Sequence, residues 1–262
     1  MPEHRITALL TGKKNSGLKN KNILPVLARP IVSYPAASAR KSKFISYFYA
    51  SSDDERILKI AGEMGYSRIF RPKKLAAANS KHVDAILHAL KFMKKRDGII
   101  PDILVVLLAN SVSIKTEWID ACVGMILKDK NASAIVPVSL NLDRHPFRAK
   151  KINKKGYLEP FFDFGGKRVS TNRQELEPSY FLCHNFWVLN VKKSVFSTIG
   201  QPPWSFMGNK VKPFIVGECC DVHTKEDIER AKEWVRNNRD NKMGCLAAAG
   251  KNRQHRENKG ML

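Results

Sequence analysis

The 262-residue sequence predicts an α/β fold in which helices cover both faces of a mostly parallel β-sheet. Short runs of Val, Leu and Ile alternate along the chain with longer segments whose apolar residues recur at helical spacing. The strongest run, Ile103–Leu108, has no polar alternation, which is typical of a central parallel strand buried on both faces. The composition, 43% hydrophobic and 27% charged, is that of a globular chain with a large core and excludes a disordered or collagen-like protein.

Each element of the first 140 residues has its own signal. Apolar runs predict strands at Ile6–Thr11, Ile45–Ala50, Tyr66–Arg71, Ile103–Leu108 and Ala132–Ser139. Helical periodicity predicts helices at Ile31–Ser42, Ser52–Met64, Asn79–Lys95 and Thr116–Lys128. Ser52 followed three residues later by Glu55 is a capping-box pattern, and it predicts that Ser52 begins the second helix.

The later part of the chain contains few helical signals. Residues from about 146 to 182 form a helix-poor stretch, which we interpret as an excursion from the sheet. Strands follow near Asn185–Asn190 and Phe214–Gly217, and Thr224 with Asp227 caps a final helix. We therefore predict one domain over residues 1–239 and a basic, disordered tail over 240–262.

Charge and cysteine content restrict the partners and the compartment. The net charge of +22 favours anionic ligands such as nucleotides and acidic metabolites. No basic stretch is interleaved with aromatic residues, so nucleic acid is disfavoured as a partner. Five cysteines without a C-x-x-C pair predict a reduced, cytoplasmic protein. The apolar runs are too short for a membrane span.

The polar loop Gly12–Asn22, directly after the first strand, is the first candidate for chemistry. It holds two glycines and four lysines, which suit close backbone approach to phosphates and neutralisation of their charge. It is not a Walker loop, because Leu18 intervenes and Asn20 stands where a metal-binding hydroxyl is needed. A solvated turn is the alternative interpretation.

Motifs along the chain resemble, in order, those of the acylneuraminate cytidylyltransferases, the CMP-sugar synthetases. The resemblance covers residues 5–235 and rests on these segments: Lys21-Asn22-Ile23, Pro30-Ile31, Ser51-Ser52-Asp53-Asp54-Glu55, Arg71-Pro72, Leu75-Ala76, Asp84, Leu87-His88-Ala89-Leu90, His145-Pro146-Phe147, Asn172-Arg173-Gln174-Glu175-Leu176 and Asp221-Val222-His223-Thr224. Each motif alone is weak, but their collinear order is specific.

The resemblance implies a Rossmann-like nucleotidyltransferase three-layer sandwich with a small dimerisation excursion. It implies transfer of CMP from CTP to the anomeric hydroxyl of a 2-keto-3-deoxy sugar acid of the nonulosonate type, with release of pyrophosphate. Mg²⁺, with Mn²⁺ as an alternative, is the implied cofactor, and a homodimer is the implied assembly. A catalytically degenerate nucleotide- or anion-binding module of the same fold is the alternative function.

The resemblance also assigns roles to individual residues. The nucleotide would be bound by Gly12, Lys13, Lys14, Ser16, Lys21, Asn22, Arg71 and Asp84. Gly12 and Ser16 stand where the family has an Arg and a Lys, so Lys13 or Lys14 would supply charge from a shifted position.

The remaining roles concern the sugar and the metal. The sugar acid would be bound by Ser111, Lys115, Arg173 and Gln174. Ala109 and Lys115 replace a Gln and an Arg of the family, which points to an altered sugar specificity. Asp221 and Lys21 would be catalytic, and Asp221 with His223 would hold the metal. His223 replaces the second Asp of the family, and an imidazole is a poorer ligand for Mg²⁺ than a carboxylate.

Overall fold

The computed structural model describes residues 4–77, 79–166 and 168–238. At the centre of the fold is a mixed sheet of eight strands. In chain order the strands are β1 (Ile6–Thr11), β2 (Tyr47–Ser52), β3 (Ser67–Phe70), β4 (Ile103–Leu108), β5 (Ala134–Leu140), β6 (Tyr180–Leu182), β7 (Phe186–Asn190) and β8 (Val211–Ile215). The chain therefore has a strand at every predicted position, and β6 in addition.

The strand order is β6-β5-β7-β4-β1-β2-β3, and β8, which lies off this path, also pairs with β5. β1 lies between β2 and β4 and runs parallel to both, as β2 does to β3 and β5 to β8. β7 is antiparallel to β4 and β5, and β6 is antiparallel to β5. The carboxyl ends of β1, β2 and β4 thus meet at one edge of the sheet.

Five helices surround the sheet in the described part of the chain: α1 (Ser33–Arg40), α2 (Glu55–Glu63), α3 (His82–Asp97), α4 (Thr116–Lys128) and α5 (225–238). Buried residues of α1, α2 and α4 pack with Ala8 and Leu10 of β1 on one face. Buried residues of α3 pack with Leu9 on the other face. This alternation confirms the predicted three-layer arrangement, because successive strand residues point to opposite faces.

The start of α2 differs from the prediction. Asp54, and not Ser52, is the N-cap, and its carboxylate accepts a hydrogen bond from the Arg56 backbone N–H at 2.9 Å. The Ser52 hydroxyl accepts one from the Asp54 backbone N–H at 3.0 Å instead. Ser52 ends β2, so a residue still in the strand cannot also cap the helix.

The excursion contains a two-stranded antiparallel ribbon, Lys150–Ile152 with Leu158–Pro160. Short 3₁₀ turns at Pro146–Arg148 and Arg173–Glu175 flank the ribbon, and β6 returns the chain to the sheet. Two smaller ribbons pair Asn15–Ser16 with Leu18–Lys19 and Pro25–Val26 with Arg29–Pro30. Further 3₁₀ turns lie at Lys21–Ile23, Lys73–Leu75 and Ser205–Met207. The predicted tail over 240–262 lies outside the described residues.

The expectation of fully reduced cysteines is wrong. Cys183, just before β7, and Cys219, after β8, form a disulfide with a Cα–Cα distance of 5.9 Å. The two residues are 36 positions apart in the sequence, and it is the sheet topology that brings them together. Cys122 and Cys220 are free and buried. In the described ranges, no helix is both long and apolar enough to cross a bilayer.

Candidate functional site

A cavity of about 260 Å³ lies at the edge where β1 and β4 end. Its walls come from the loop after β1, the loop after β4, the segment after β3 and the first turn of α3. The lining residues are Thr11, Gly12, Lys13, Lys21, Asn22, Arg71, Ser80, Lys81, His82, Ala85, Leu108 and Asn110. Ligands of open α/β sheets bind at the carboxyl ends of the strands, which is where this cavity lies.

The loop after β1 approaches the sheet closely, and Gly12 makes this approach possible. A Cβ at position 12 would lie 2.9 Å from the Cβ of Ala109 and 3.3 Å from Nδ2 of Asn22. No real Cβ tolerates the first of these distances without a shift of its neighbour. Gly12 therefore serves backbone packing against the loop after β4, and it lines the cavity with main chain only.

Lys21 and Asn22 form the first turn of the 3₁₀ segment Lys21–Ile23 and are both buried. The Asn22 amide donates from Nδ2 to the Lys13 carbonyl at 2.8 Å, whereas its Oδ1 has no partner among the described residues. A buried acceptor without a donor costs free energy, so Asn22 is poised to accept a hydrogen bond from a ligand. Burial lowers the pKa of Lys21, and the nearby Asp221 and Asp227 partly oppose this change.

Arg71 is the most deeply buried cation of the site, with 2% of its surface exposed. Its Nη2 donates to the Ser51 carbonyl at 2.8 Å and its Nε to the Ser51 hydroxyl at 3.3 Å. Burial lowers the pKa of Arg71 to about 10, so the guanidinium remains charged at neutral pH. Lys13 lies near it, and burial and the Arg71 charge lower the pKa of Lys13 as well. These cations favour an anionic ligand.

Lys21 is linked to Asp221 through His223. The Lys21 ammonium, which can only donate, lies 3.4 Å from Nδ1 of His223. His223 Nε2 lies 2.6 Å from Asp221 Oδ2. Because Nδ1 accepts from Lys21, the imidazole proton is placed on Nε2, which donates to the carboxylate. The sequence therefore predicted correctly that Lys21 and Asp221 meet, and His223 is the residue that joins them.

Two local structures hold the Asp221 segment in position. Asp221 forms an isolated antiparallel bridge with Ser111, and the Val222 backbone N–H donates to the Asn110 carbonyl at 2.8 Å. On the other side, the Thr224 hydroxyl accepts from the Asp227 N–H at 3.3 Å, and the Asp227 carboxylate accepts from the Thr224 N–H at 2.8 Å. This capping box at the start of α5 was predicted from the sequence and is confirmed.

The donors near Asp221 fit a divalent ion only if phosphate oxygens complete its shell. No cluster of three or more His, Cys, Asp or Glu side chains in the described ranges could hold a metal by itself. Mg²⁺ is commonly held by one or two carboxylates with phosphates and water, so Asp221 could serve as its protein ligand. Both ring nitrogens of His223 are engaged, Nδ1 with Lys21 and Nε2 with Asp221, so in this arrangement His223 offers no nitrogen to the ion that it was predicted to hold.

Several predicted residues do not line the cavity. Lys14 is exposed and contacts Asp53 through its backbone N–H, and Ser16 lies in the ribbon that follows β1. Asp84 is in the first turn of α3 but is absent from the cavity wall. Arg173 is exposed in the excursion and pairs with Asp143 at 2.6 Å, and its neighbour Gln174 is also exposed.

Two predicted sugar ligands have other surroundings as well. Ser111 is fully buried, and its hydroxyl donates to the Cys220 carbonyl at 3.3 Å, so its side chain anchors the Asp221 segment. The Lys115 ammonium lies 5.2 Å from the ring centre of Trp118 and 5.8 Å from that of Trp234, in cation–π geometry. Lys115 lines two other cavities, beside α5, and not the one at the end of β1.

The sequence analysis missed Ser80, Lys81, His82 and Asn110 as cavity residues. Asn110 had a usable signal, because it follows the strongest predicted strand by two residues. His82 had a weaker signal. It begins α3, and for this segment the sequence predicted only that it is helical. Their convergence depends on the path of the chain between β3 and α3, which no local pattern predicts.

A family model and several known proteins match this chain. The chain matches the family model described as Cytidylyltransferase over residues 14–156, more than half of its length. It is 30% identical over 87 residues to the N-acylneuraminate cytidylyltransferase of Escherichia coli O18:K1:H7 (strain RS218 / NMEC). That alignment spans 33% of this chain and 21% of the relative. The pseudaminic acid cytidylyltransferase of Campylobacter jejuni (strain 81-176) is 22% identical over 216 residues, which is 82% of this chain and 89% of the relative.

Two solved structures share the fold. The CMP:2-keto-3-deoxy-manno-octonic acid synthetase complexed with CTP has a TM-score of 0.63 at 12% identity, covering 89% of this chain and 99% of that chain. The 4-diphosphocytidyl-2C-methyl-D-erythritol synthase of Anaerococcus prevotii has a TM-score of 0.58 at 16% identity, covering 89% and 96%. They confirm the predicted three-layer α/β fold. With the family match, the named relatives and a cationic cavity at the expected edge of the sheet, the chain belongs to the cytidylyltransferase family, that of the CMP-sugar synthetases.

Proposed function

We propose that this protein transfers CMP from CTP to the anomeric hydroxyl of a 2-keto-3-deoxy sugar acid of the nonulosonate type and releases pyrophosphate. The names of the relatives support a sugar-acid acceptor of this class. The observation that carries the proposal is the set of cations around the cavity, Lys13, Lys21 and Arg71. Within the described residues, none of the three forms an ion pair with a carboxylate.

A buried cation without an anionic partner is costly, so a site that maintains Arg71 and Lys21 is suited to an anion that arrives from solution. Arg71 and Lys21 are 2% and 5% exposed. The triphosphate of CTP would meet all three cations at once. The unpartnered Oδ1 of Asn22 would accept a hydrogen bond from a donor of the same ligand, such as a ribose hydroxyl.

The reaction is a displacement at phosphorus. The anomeric hydroxyl of the sugar acid loses its proton to water as its oxygen forms a bond to the α-phosphorus of CTP, and the bond from that phosphorus to the pyrophosphate oxygen breaks. Lys13 and Lys21 stabilise the charge that develops on the departing pyrophosphate. Asn22 and Arg71 hold the nucleotide in place, so that catalysis rests on positioning and electrostatics.

Asp221 would hold the divalent ion together with phosphate oxygens, with Mg²⁺ or Mn²⁺ as the candidate ion. When bound, such an ion supplies neutralisation of phosphate charge. His223 keeps the Asp221 carboxylate oriented through its 2.6 Å contact and connects it to Lys21. The carboxylate is thereby joined to the Lys21 ammonium, which lines the cavity, whereas Asp221 and His223 are not themselves part of the cavity wall.

We further propose that the protein is a homodimer and works in the cytoplasm. The excursion ribbon supports the dimer because it exposes large apolar side chains. Ile152, Tyr157 and Leu158 are 72%, 69% and 71% exposed. Exposed apolar side chains gathered in one segment mark an interaction surface.

The test of the activity is pyrophosphate release from CTP in the presence of a panel of 3-deoxy-2-keto sugar acids, with Mg²⁺ or Mn²⁺. We expect release with at least one acid, and a decrease of at least about tenfold in Asp221→Ala, which is about 1.4 kcal/mol of barrier. Asp129→Ala is the matched control, because Asp129 pairs with Lys212 at the surface, away from the cavity wall.

The alternative, a degenerate binding module, makes a different prediction in the same experiment. Such a protein would be stabilised by CTP in a thermal-shift assay and would release no pyrophosphate with any acid. The exchange of the family's loop Arg and Lys for Gly12 and Ser16 favours this alternative. An unchanged rate in Asp221→Ala would contradict the role of that carboxylate, whichever acid is used.

A further inference from the structure

The Cys183–Cys219 disulfide connects the central sheet to the segment that precedes Asp221. Cys183 lies just before β7 and is 3% exposed. Its backbone N–H donates to the Pro137 carbonyl of β5 at 2.9 Å, so this end of the disulfide is fixed in the sheet. Cys219 is the more exposed partner and stands two residues before Asp221 in the chain.

Residues 217–219 have few other attachments. On one side, the Val216 N–H donates to the Val138 carbonyl at 2.9 Å, and on the other the Cys220 N–H donates to the Ser113 hydroxyl at 2.7 Å. Between these two points, no hydrogen bond within the described part of the chain involves residues 217–219. The disulfide is therefore the cross-link that ties this short segment to the sheet.

The hydrogen bonds of Cys220 and Asp221 do not depend on the disulfide. The Cys220 carbonyl accepts from the Ser113 hydroxyl at 3.1 Å and from the Ser111 hydroxyl at 3.3 Å. Asp221 forms its isolated bridge with Ser111. Loss of the disulfide should therefore loosen the approach to Asp221 without unfolding the protein, because these bonds remain.

We propose that the Cys183–Cys219 disulfide is a redox switch that controls how firmly Asp221 is positioned. A small dithiol transfers two electrons and two protons to the S–S bond, which leaves two cysteine thiols and converts the dithiol to its disulfide. Residues 217–219 then lose their attachment, and the Asp221 carboxylate loses part of its fixed geometry. Oxidised glutathione reverses the step and leaves as two glutathione thiols. The effect on the rate rests on the proposed function, whereas the effect on the segment does not.

The switch also reconciles the disulfide with the compartment proposed above. Cytoplasmic thiols are kept reduced, and disulfides that form there are usually transient or redox-sensing. Exchange depends on the access of a thiol to one of the two sulfurs, and Cys219 is only partly buried whereas Cys183 is almost fully buried. We therefore expect attack at Cys219, with the Cys183 sulfur as the leaving group.

The first experiment compares the full-length protein oxidised by glutathione disulfide with the same protein reduced by dithiothreitol. Mass spectrometry of the linked peptides verifies the state of the two cysteines. Amide hydrogen exchange over residues 217–219 should be at least about tenfold faster after reduction, whereas exchange in β1 and β4 should be unchanged. Equal exchange in the two states, or no disulfide after oxidation, would overturn the switch. This measurement needs no variant and no activity.

The second experiment measures pyrophosphate release by the two forms. The oxidised protein should be at least about threefold faster, and reoxidation of the reduced protein should restore the rate. Cys183→Ser/Cys219→Ser should have the lower rate and no response to dithiothreitol. Cys122→Ala is the matched control, because Cys122 is a free, buried cysteine of α4, and this variant should respond as wild type does.

The two experiments together separate the switch from the reaction. Faster exchange with an unchanged rate would overturn the control of Asp221 and leave the proposed reaction intact. Absence of pyrophosphate release in both redox states would contradict the proposed function, and the hydrogen exchange would still decide whether the disulfide holds the segment.

Discussion

We expect Arg71 to serve ligand binding more than the stability of the fold. Its guanidinium is buried, yet its hydrogen bonds go to Ser51, whose carbonyl also accepts from the Gly12 backbone N–H at 3.2 Å. Replacing a buried charge by an apolar side chain of similar volume is often neutral or stabilising. Binding and stability should therefore separate at this position.

We predict that Arg71→Met binds CTP at least about tenfold more weakly and keeps a melting temperature within a few degrees of wild type. Removal of the cation takes away a phosphate partner, while the Ser51 carbonyl keeps its bond from Gly12. Calorimetric titration and thermal unfolding without ligand measure the two effects. A large loss of melting temperature with unchanged CTP affinity would assign Arg71 to the fold instead.

A second prediction concerns the Cβ atom that Gly12 lacks. Gly12→Ala should destabilise the protein by about 1–3 kcal/mol through overpacking, because its Cβ would lie 2.9 Å from that of Ala109. It should also weaken CTP binding, since Asn22 Nδ2 lies 3.3 Å from the same point. Denaturant unfolding and calorimetric titration measure both losses.

The double variant Gly12→Ala/Ala109→Gly is the control for this clash. Removal of the Ala109 Cβ opens the space that the new methyl group needs, so part of the lost stability should return. If the double variant is no more stable than Gly12→Ala, the contact with Ala109 is not the cause of the defect.

The family resemblance named Lys21, Asn22 and Arg71 as site residues, and the structure places all three in the cavity wall. Lys21, Asn22 and Arg71 follow strands at the edge where the cavity lies. Ser111 also follows a strand, but its side chain points into the fold, and no spacing rule distinguishes these two directions. His82 and Ser80 depend on how the chain enters α3, which is a tertiary property.

Asp54 illustrates how one cap controls a whole element. It begins α2, accepts from the Arg56 backbone and side chain, and is 4% exposed. The side-chain hydrogen bond from Arg56 lowers the pKa of Asp54 and outweighs the opposing effect of burial. Because this carboxylate is more acidic in the folded state, its charge stabilises the fold at any pH above its ordinary pKa.

We predict that Asp54→Ala lowers the free energy of unfolding at pH 7 by about 1 kcal/mol, whereas Asp54→Asn retains most of the cap. The remaining difference between wild type and Asp54→Asn is the contribution of the charge. It should be complete above about pH 4 and disappear as the pH falls through the lowered pKa of the folded state. Urea unfolding over a pH series measures it, and a difference that persists at pH 2 would contradict the assignment.

At the scale of elements, the most informative sequence signal was the uninterrupted apolar run that indicates a strand buried on both faces. β4 has the predicted bounds, because an uninterrupted apolar run leaves one interpretation for a short segment between turns. β6 was missed, since three residues paired with the end of β5 carry too little pattern. The antiparallel direction of β7 was not predicted either, because direction depends on the connection and not on the strand itself.

On the scale of the whole molecule, the apolar ribbon of the excursion contrasts with a chain of net charge +22. Like charges on two copies repel one another, so a dimer needs a contact surface that carries little charge. Ile152 and Leu158 are exposed cross-strand partners on one face of the ribbon and supply uncharged contact area there, and Lys150 lies on the same face. The opposite face carries the Lys151–Glu159 ion pair at 3.3 Å.

We predict a dimer by size-exclusion chromatography with light scattering, and a monomer for Ile152→Lys/Leu158→Glu. The new side chains are opposite in charge and directly paired, so the ribbon should still form and the net charge is unchanged. Lys151→Glu/Glu159→Lys inverts the ion pair on the other face and should remain dimeric. A monomeric wild-type protein would remove the basis for the dimer.

The excursion starts just after β5 and returns through β6, where Tyr180 pairs with Leu140 at the end of the same strand. Both ends of the excursion are therefore attached at the end of β5. The segment between them can change length or composition without moving the nucleotide cavity. The excursion can therefore be exchanged as a unit for another segment. A different ribbon could be grafted between the same two attachment points to alter assembly while leaving the cavity at the end of β1 unchanged.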